Sequence, residues 1–393
     1  MEGKVFRLNE ICQIKSGKRI PKGMDYVTYQ TNHPYIRARD IKAGNICVED
    51  LIYLEDDVYK KIKKYIIQEG DIAITVVGAS VGDTGYAKEN VDGYNLTENA
   101  VRLTNFTKDV DSKFLHYVLS QKQYHDYMQL IAGAAAQPKL GIYKVKRIRV
   151  VLPKISIQKK IADILSAYDK LIENNNKRIK LLEQMAENLY KEWFVRFRFP
   201  GYEDVEFNGT VPSGWKYQPI SESINFYDSK RIPLSSMQRD EMDKIYPYYG
   251  AAKLMDYVDD YLFDGEYLLL GEDGTVITSD GFPILQLVND KFWVNNHAHV
   301  IRGKGNISTR FLYLTFLRFP ITGIVTGSAQ PKISKGRLEK LKILVPDVKN
   351  MEKFNGLINP IFDEINLLKK QLIKITEQRD MLLPRLMSGK LEV

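Results

Sequence analysis

The sequence predicts an α+β fold in which two pseudo-symmetric domains are joined by two long antiparallel coiled-coil helices. Two observations predict this fold: the chain repeats itself at an offset of 193 residues, and each copy ends in a heptad pattern. The chain has 393 residues, of which 44% are hydrophobic and 27% charged, and its mean hydropathy is −0.30, as in ordinary globular proteins. This length favours two or three domains.

The repeat is clearest in one short polar segment. Residues 137–140 (Gln-Pro-Lys-Leu) recur as residues 330–333 (Gln-Pro-Lys-Ile), and the same offset then holds without a gap for roughly sixty positions. Matches nearer the start of each copy drift slightly, as insertions in loops would cause. The chain is therefore predicted to contain one unit of about 200 residues twice.

The first part of each copy is predicted to be a mixed domain. Residues 1–153 and 201–346 combine short β-rich runs and glycine-rich turns with helical stretches near 112–130 and 308–319. This mixture is typical of an α+β domain. A proline closes each domain, and the predicted helical segments 154–200 and 347–393 follow.

The period of the apolar residues changes after each domain to alternating steps of four and three. Such a seam is narrower than the stripe of a surface helix and is typical of a coiled coil. At 1.5 Å per residue, a helix from Ile161 to Trp193 would be a rod of roughly 50 Å. The predicted seam comprises Ile161, Leu165, Ile172, Asn175, Ile179, Leu182, Leu189, Ile358, Ile365, Leu368, Leu372, Ile375 and Leu382.

Each helix could instead be the longest core element of its own domain. Two seams of identical register in one chain favour mutual pairing, because a narrow seam needs another narrow seam to cover it. Each helix follows its own domain, so an antiparallel pairing would make the helices a spacer between two domains. A polar residue interrupts each seam, Asn175 in the first and Arg379 in the second, and such residues usually determine register.

Cysteine content and charge indicate the environment and the partner. Cys12 and Cys47 are too few for a disulfide framework or a structural zinc site, and no apolar run approaches 18 residues, so we expect a cytoplasmic protein without a membrane segment. The formal charge of +8 and the pI near 9.0 predict an anionic partner. Residues 1–200 carry 33 Lys and Arg against 24 Asp and Glu, or +9, and the rest carries 24 against 25, or −1.

Signatures of nucleic-acid enzymes do not hold up in context. Residues 359–362 (Asn-Pro-Ile-Phe) are similar to the catalytic turn of amino-methyltransferases, but Ile361 belongs to the heptad pattern and no glycine-rich cofactor loop precedes it. A nuclease motif and a phosphate-binding loop are missing, and the five histidines lack metal-ligand spacing. The sequence therefore predicts no catalytic residue and no metal site.

The remaining candidates are basic and polar loops that recur in both copies. Cations beside a glycine or serine turn can hold phosphates, arginine can also read guanine edges, and short polar segments can enter a groove. We expect Arg37 and Arg39 to alternate along a strand, with two tyrosines at the matching place of the second copy. The alternative for each is a solvated loop. The candidates are Lys15, Lys18, Arg19, Lys22, Arg37, Arg39, Gln137, Lys139, Lys230, Arg231, Tyr248, Tyr249, Gln330 and Lys332.

Several segments together resemble the specificity subunit of type I restriction-modification systems, over essentially the whole chain. Residues 211–216 (Val-Pro-Ser-Gly-Trp-Lys) are similar to the entry of the second target recognition domain in that family. The run at 292–298, the Gln-Pro-Lys segments and the ending at 382–390 (Leu-Leu-Pro-Arg-Leu-Met-Ser-Gly-Lys) also resemble it. The first domain lacks the entry tryptophan, so its assignment rests on the repeat.

The resemblance implies a non-catalytic DNA-binding subunit. Each target recognition domain would read one half of a bipartite site in double-stranded DNA, and the helices would set the spacer and dock two methyltransferase subunits. S-adenosylmethionine, ATP and Mg would bind to those subunits and to restriction subunits, with no cofactor in this chain. Two alternatives stay open: a self-contained nucleic-acid-modifying enzyme, and a coiled-coil scaffold that does not bind DNA.

Overall fold

The computed structural model describes residues 3–134, 137–327 and 330–391. The chain forms two compact units: unit 1 comprises Met1–Ile172 and Lys374–Val393, and unit 2 comprises Glu173–Ile373. Each unit therefore contains one of the predicted α+β domains together with part of both long helices. The helices are not bodies of their own, because their apolar seam residues continue the core of the domain beside them. In the described residues, no helix is both long and apolar enough to cross a bilayer.

Unit 1 is built around a six-stranded sheet. Its elements are β1 (Lys4–Arg7), α1 (Leu8–Ile11), β2 (Gln13–Ser16), β3 (Pro34–Ile36), β4 (Ile41–Lys42), β5 (Gly44–Ile46), β6 (Ile52–Tyr53), α2 (Asp56–Ile62), β7 (Ile72–Thr75), β8 (Thr84–Tyr86), β9 (Asn95–Leu96), β10 (Ala100–Thr104), α3 (Ser112–Leu119), α4 (Lys122–Ala132), α5 (Ile142–Arg147), β11 (Arg149–Leu152) and the first half of α6 (Ile155–Tyr190). The strand order is β2-β10-β7-β8-β5-β4, and smaller sheets have the orders β6-β3-β9 and β1-β11. Strand β7 is buried along its whole length, as a central strand of apolar and β-branched residues should be.

Unit 2 repeats this topology around a four-stranded central sheet. Its elements are β12 (Phe207–Asn208), β13 (Val211–Pro212), β14 (Lys216–Pro219), β15 (Ile224–Phe226), α7 (Ser236–Asp240), β16 (Tyr246–Tyr249), β17 (Leu254–Val258), β18 (Tyr267–Gly271), β19 (Leu285–Val288), β20 (Trp293–Val294), β21 (Ala298–Gly303), α8 (Thr309–Phe316), α9 (Lys335–Leu338), β22 (Lys342–Val345) and most of α10 (Val348–Ser388). A π-helical turn, Lys191–Val195, continues α6.

The two units match strand by strand. The order β15-β21-β18-β19 corresponds to β2-β10-β7-β8, and β17-β16-β20 corresponds to β6-β3-β9, including a parallel last pair in both. The ribbon β14-β22 corresponds to β1-β11. Helices α3 and α8 even begin alike, because Asp111 and Ser308 each accept a hydrogen bond from the backbone N–H three residues on. The duplicated α+β architecture predicted from the repeat is confirmed.

In unit 1, the beginning of α6 packs against the end of α10. Ile161 and Leu165 share a fully buried core cluster with Leu386, and Leu382 packs at its margin. The Arg379 guanidinium lies 2.9 Å from Asp169 of α6. The two helix segments are therefore antiparallel, as predicted.

In unit 2, the end of α6 packs against the beginning of α10. Ile179 belongs to one buried cluster with Ile358, Ile365 and Leu368, and Leu182, Leu189 and Leu372 pack against it. The seam residues Ile172 and Ile375, which belong to unit 1, are half-buried. The polar seam residue Asn175 is also buried, and its Nδ2 donates to the side-chain Oε1 of Gln371 at 3.5 Å. These segments are likewise antiparallel.

Candidate nucleic-acid interface

Four loops come together at one edge of unit 1. The backbone N–H of Leu140 donates to Val76 O at 2.8 Å, and that of Gly78 donates to Pro138 O at 3.1 Å, so the Gln-Pro-Lys segment pairs with the loop that follows β7. Val76 in turn donates to Asn99 O, and Gly17 donates to Ala100 O. Residues 17–19, 76–78, 97–99 and 137–140 are called here the loop edge of unit 1.

The turn after β2 presents cations at this edge. Gly17 is required there, because a Cβ would lie 2.0 Å from Thr97 O. The Lys18 backbone carbonyl accepts a hydrogen bond from the Tyr35 hydroxyl at 2.9 Å. The Lys18 side chain is exposed, with its ammonium 5.6 Å from the centre of the Tyr65 ring. Arg19 is exposed and bonded to Glu98, whose hydrogen bond raises the pKa of the guanidinium further above its ordinary value.

Unit 2 forms the same edge from equivalent loops. Ile333 donates to Glu272 O at 2.9 Å, and Gly274 donates to Pro331 O at 3.0 Å, which repeats the pairing of the first Gln-Pro-Lys segment. Glu272 donates to His297 O as Val76 does to Asn99 O. The loop edge of unit 2 comprises residues 228–231, 272–274, 295–297 and 330–333.

Behind the loop edge of unit 2 lies a buried network of charges. The Arg231 guanidinium contacts Glu272 at 2.6 Å and donates to Ala298 O at 2.7 Å, and only 13% of its side chain is exposed. His299 is buried, with Nδ1 2.7 Å from Asp228 and Nε2 2.8 Å from Ile333 O. Hydrogen bonding to His299 and to Val300 N–H lowers the pKa of Asp228 despite its burial. The network ties the loop 228–231 to the Gln-Pro-Lys segment.

Asp228, Glu272 and His299 also bring ligand-type atoms within 4.8 Å of one another. Such a group could in principle hold a cation. Here both ring nitrogens of His299 already face oxygen acceptors, and Arg231 supplies a positive charge to Glu272. The arrangement is therefore an ion-pair network whose ligand atoms are occupied by protein partners.

Most candidate residues lie exposed, on or next to these two edges. Among the described residues, Lys15, Lys22 and Lys139 have no ion-pair partner, while the ammonium of Lys230 lies 5.6 Å from the Tyr227 ring centre. Lys332 is exposed and 3.8 Å from Glu272. The exposed candidates are Lys15, Lys18, Arg19, Lys22, Arg39, Gln137, Lys139, Lys230, Gln330 and Lys332.

The prediction that Arg37 and Arg39 alternate along a strand is wrong. Strand β3 ends at Ile36, and Ala38–Asp40 form a 3₁₀ turn. Asp40 closes this turn by accepting from Arg37 N–H and from both Nε and Nη2 of Arg37, so the Arg37 side chain is largely buried. Arg39 is exposed and pairs with Asp50.

Two further candidates are structural rather than accessible. Tyr248 is 1% exposed, and its hydroxyl accepts a hydrogen bond from Leu234 N–H at 3.0 Å. By strand register Tyr248 matches Tyr35 and Tyr249 matches Ile36. The two tyrosines therefore do not occupy the positions equivalent to Arg37 and Arg39. Tyr249 is half-buried, with its ring 5.9 Å from that of Phe292, and burial raises its pKa. Arg231 is likewise held by the buried network rather than directed to solvent.

Sequence reasoning missed the residues that organise each edge. Glu98 and Asn99 in unit 1, and Glu272 and His297 in unit 2, connect the loops through the contacts described above. They come from loops without a residue motif of their own. Aligning the strands of the two copies through 95–100 and 293–298 would have placed Asn99 and His297 at equivalent positions, whereas Glu272 corresponds to Val76.

Both copies match one sequence family. The profile described as "Type I restriction modification DNA specificity domain" matches residues 2–184 and 212–377. The chain is 29% identical over 361 residues to the type I restriction enzyme MjaIX specificity subunit of Methanocaldococcus jannaschii, covering 86% of this chain and 82% of that protein. It is 22% identical over 372 residues to the MjaVIII specificity subunit of the same organism, covering 87% and 85%.

A solved structure has a similar fold. The crystal structure of a type I restriction-modification system S subunit from M. genitalium aligns with a TM-score of 0.66 at 17% identity. The alignment covers 98% of this chain and 96% of that one. The α+β architecture with long helices is thus shared over nearly the whole length.

Proposed function

Because the chain belongs to the type I restriction-modification DNA specificity family, with one match in each copy, we propose that it is the DNA-recognition subunit of such a complex. Each unit reads one half of a bipartite, asymmetric site in double-stranded DNA. The two long helices set the unread spacer between the half-sites and dock two methyltransferase subunits. Restriction subunits join the same assembly.

One observation carries this proposal: the same four-loop edge is built twice on equivalent strands, but with different side chains. Exposed Lys18, Arg19 and Lys139 in unit 1, and Lys230 and Lys332 in unit 2, suit phosphate contacts that hold a duplex in register. Gln137 and Gln330 beside them can exchange paired hydrogen bonds with base edges. Because the rest of each edge differs, the two half-sites should differ.

We also propose that this subunit is not itself an enzyme. Support comes from the one segment that is similar to a catalytic turn: Asn359 and Pro360 lie inside α10, and Arg310 donates to the backbone oxygen of Asn359 at 2.8 Å. S-adenosylmethionine, ATP and Mg would then bind to the partner subunits. The cytoplasm is the proposed compartment, in keeping with the two free thiols, Cys12 and Cys47.

Exchange of one recognition domain tests this function. Residues 1–153 are replaced by the corresponding domain of another family member, and the hybrid is expressed with its methyltransferase subunits. Genome-wide mapping of methylated bases should show one changed half-site, with the other half-site and the spacer retained. A change in both half-sites, or methylation without a bipartite site, would contradict the proposal.

A further inference from the structure

Three arginines of unit 1 line one open cleft of about 820 Å³. Arg7, Arg147 and Arg149 are exposed, and none of them has a side-chain ion pair or hydrogen bond within the described part of the chain. Most other arginines near the sheets are paired, as Arg37 and Arg102 are. The rest of the cleft is lined by Gln123, Tyr124 and Tyr127 of α4.

The strand register brings two of these charges together. Arg7 of β1 and Arg149 of β11 are direct cross-strand partners, while their neighbours Phe6 and Val150 form the next pair and pack toward the core. Side chains in such a pair lie about 5 Å apart at Cβ, and like charges placed there are destabilising. An anion bound between the two guanidinium groups would remove that repulsion.

The surrounding sequence adds to the positive potential. Residues 131–160 contain eight Lys and Arg and no Asp or Glu. The equivalent residues 324–353 of unit 2 contain seven Lys and Arg and three Asp and Glu. The strand pair that matches Arg7 and Arg149 is Pro219 and Lys342. Between α8 and α9, the described part of unit 2 has only the 3₁₀ turn Thr322–Ile324 where unit 1 has α4. The arginine cleft is thus a feature of unit 1.

We propose that the arginine cleft binds backbone phosphates of duplex DNA, as a sequence-independent anchor in the same unit as the base-reading loop edge; this inference rests on the proposed function. Guanidinium groups match phosphate oxygens in paired hydrogen bonds, and the tyrosine hydroxyls and the glutamine amide can add further ones. A polyanion with regularly spaced charges satisfies several arginines at once. A protein surface would have to hold several carboxylates together against their own repulsion.

The test measures binding of the full chain to a labelled random-sequence duplex between 50 and 200 mM salt. Each phosphate contact contributes about 0.9 to the slope of log affinity against log salt. In the double variant R7Q/R149Q the magnitude of that slope should decrease by about 2, and by the same amount for every DNA sequence. The matched control K146Q removes an exposed cation of α5 that does not line the cleft, and should leave the slope within experimental error.

Hydrogen exchange of residues 4–7 and 149–152 verifies that the ribbon persists in the double variant. If R7Q/R149Q has the same salt slope as the unmodified chain, the inference is overturned and the proposed function is left intact. An unchanged slope combined with lost assembly with methyltransferase subunits also overturns it, in favour of an acidic protein surface. If the unmodified chain binds no duplex at 50 mM salt, both the inference and the proposed function fail.

Discussion

Lys230 and Arg231 are adjacent in sequence and equally basic, yet their surroundings in unit 2 are opposite. Lys230 is exposed beside the Tyr227 ring. Arg231 is turned inward, where it neutralises the charge of Glu272 and donates a hydrogen bond to the carbonyl oxygen of Ala298. A buried carboxylate that loses its cation keeps its desolvation penalty. The two residues therefore contribute to different properties, one to ligand contact and the other to stability.

Substitution of each residue by methionine should separate these roles. Arg231→Met leaves Glu272 with a buried, poorly compensated charge, so we expect the free energy of unfolding of unit 2 to fall by about 3 kcal/mol. Lys230→Met, the matched control, should change it by less than about 0.5 kcal/mol. All three tryptophans, Trp193, Trp215 and Trp293, belong to unit 2, so urea denaturation followed by tryptophan fluorescence measures this unit. Equal losses in both variants would argue against a structural role specific to Arg231.

His116 of unit 1 is a second residue whose surroundings determine its behaviour. It lies in α3 between the rings of Tyr86 and Tyr117, at centroid distances of 5.6 and 5.4 Å, and its Nδ1 has no hydrogen-bond partner among the described residues. Burial lowers the pKa of the imidazole to about 4, partly opposed by Asp169. The folded unit therefore holds this histidine neutral.

Unit 1 should lose stability on mild acidification because of His116. In the unfolded chain the imidazole has an ordinary pKa near 6.5, so between about pH 6.5 and 4 the unfolded state binds more protons than the folded state. The free energy of unfolding should therefore decrease over this range by up to about 3 kcal/mol. Pulse proteolysis in urea, with mass spectrometry of unit 1 peptides, measures this change. In His116→Phe this decrease in the free energy of unfolding should be smaller by that amount. If the variant and the unmodified chain have identical pH profiles, the decrease is not caused by His116.

At the scale of elements, the polar residues within the helix seams have partners that define their register. In unit 2, Asn175 approaches Gln371, and the exposed Arg178 contacts Glu364. In unit 1, Arg379 contacts Asp169, which also accepts a hydrogen bond from the Tyr117 hydroxyl at 2.5 Å. A slipped register would separate these groups and leave polar atoms among apolar seam residues.

Lengthening both helices together tests whether they set the spacer. A seven-residue insertion after Asn176 and another after Lys370 add one heptad to each seam, or about 10 Å of helix. Since one base pair rises about 3.4 Å, the unread spacer should lengthen by about three base pairs, as read from the methylated site. Four-residue insertions at the same positions are the control: they shift the seam and should reduce assembly. An unchanged spacer in the heptad variant would rule out this role for the helices.

At the scale of the whole molecule, duplication supplies two similar frames with different loops. The sheet order of four core strands is shared, but unit 1 adds β4, β5, α4 and the arginine cleft. Unit 2 instead places the buried network of Arg231 and His299 behind its loop edge. The exchange of residues 1–153 has a reciprocal experiment. Replacing residues 201–346 instead should change only the half-site that the first exchange retained.

Much of this organisation could be predicted from the sequence. Repeats and periodicity are local and additive: a heptad seam or a strand of apolar residues has the same meaning wherever it occurs, so the duplicated α+β domains and the antiparallel helices followed from the pattern. The resemblance to the specificity family came from a few short segments, such as residues 211–216 and 382–390. The meeting of the polar loops at one edge was not predicted from the sequence, because loop insertions obscure the alignment of the two copies.

The residue pattern alone establishes that this chain has two copies of one domain, each followed by a helix with a narrow apolar seam. Which cations face solvent depends on the fold. Arg37 and Arg231 have the same side chain as Arg19, but carboxylates contributed by a nearby turn and by a distant loop hold the first two inside. Arg7 and Arg149, distant in sequence, meet because their strands pair. A guanidinium group is paired or free according to neighbours that the fold brings to it, and no local pattern encodes those neighbours.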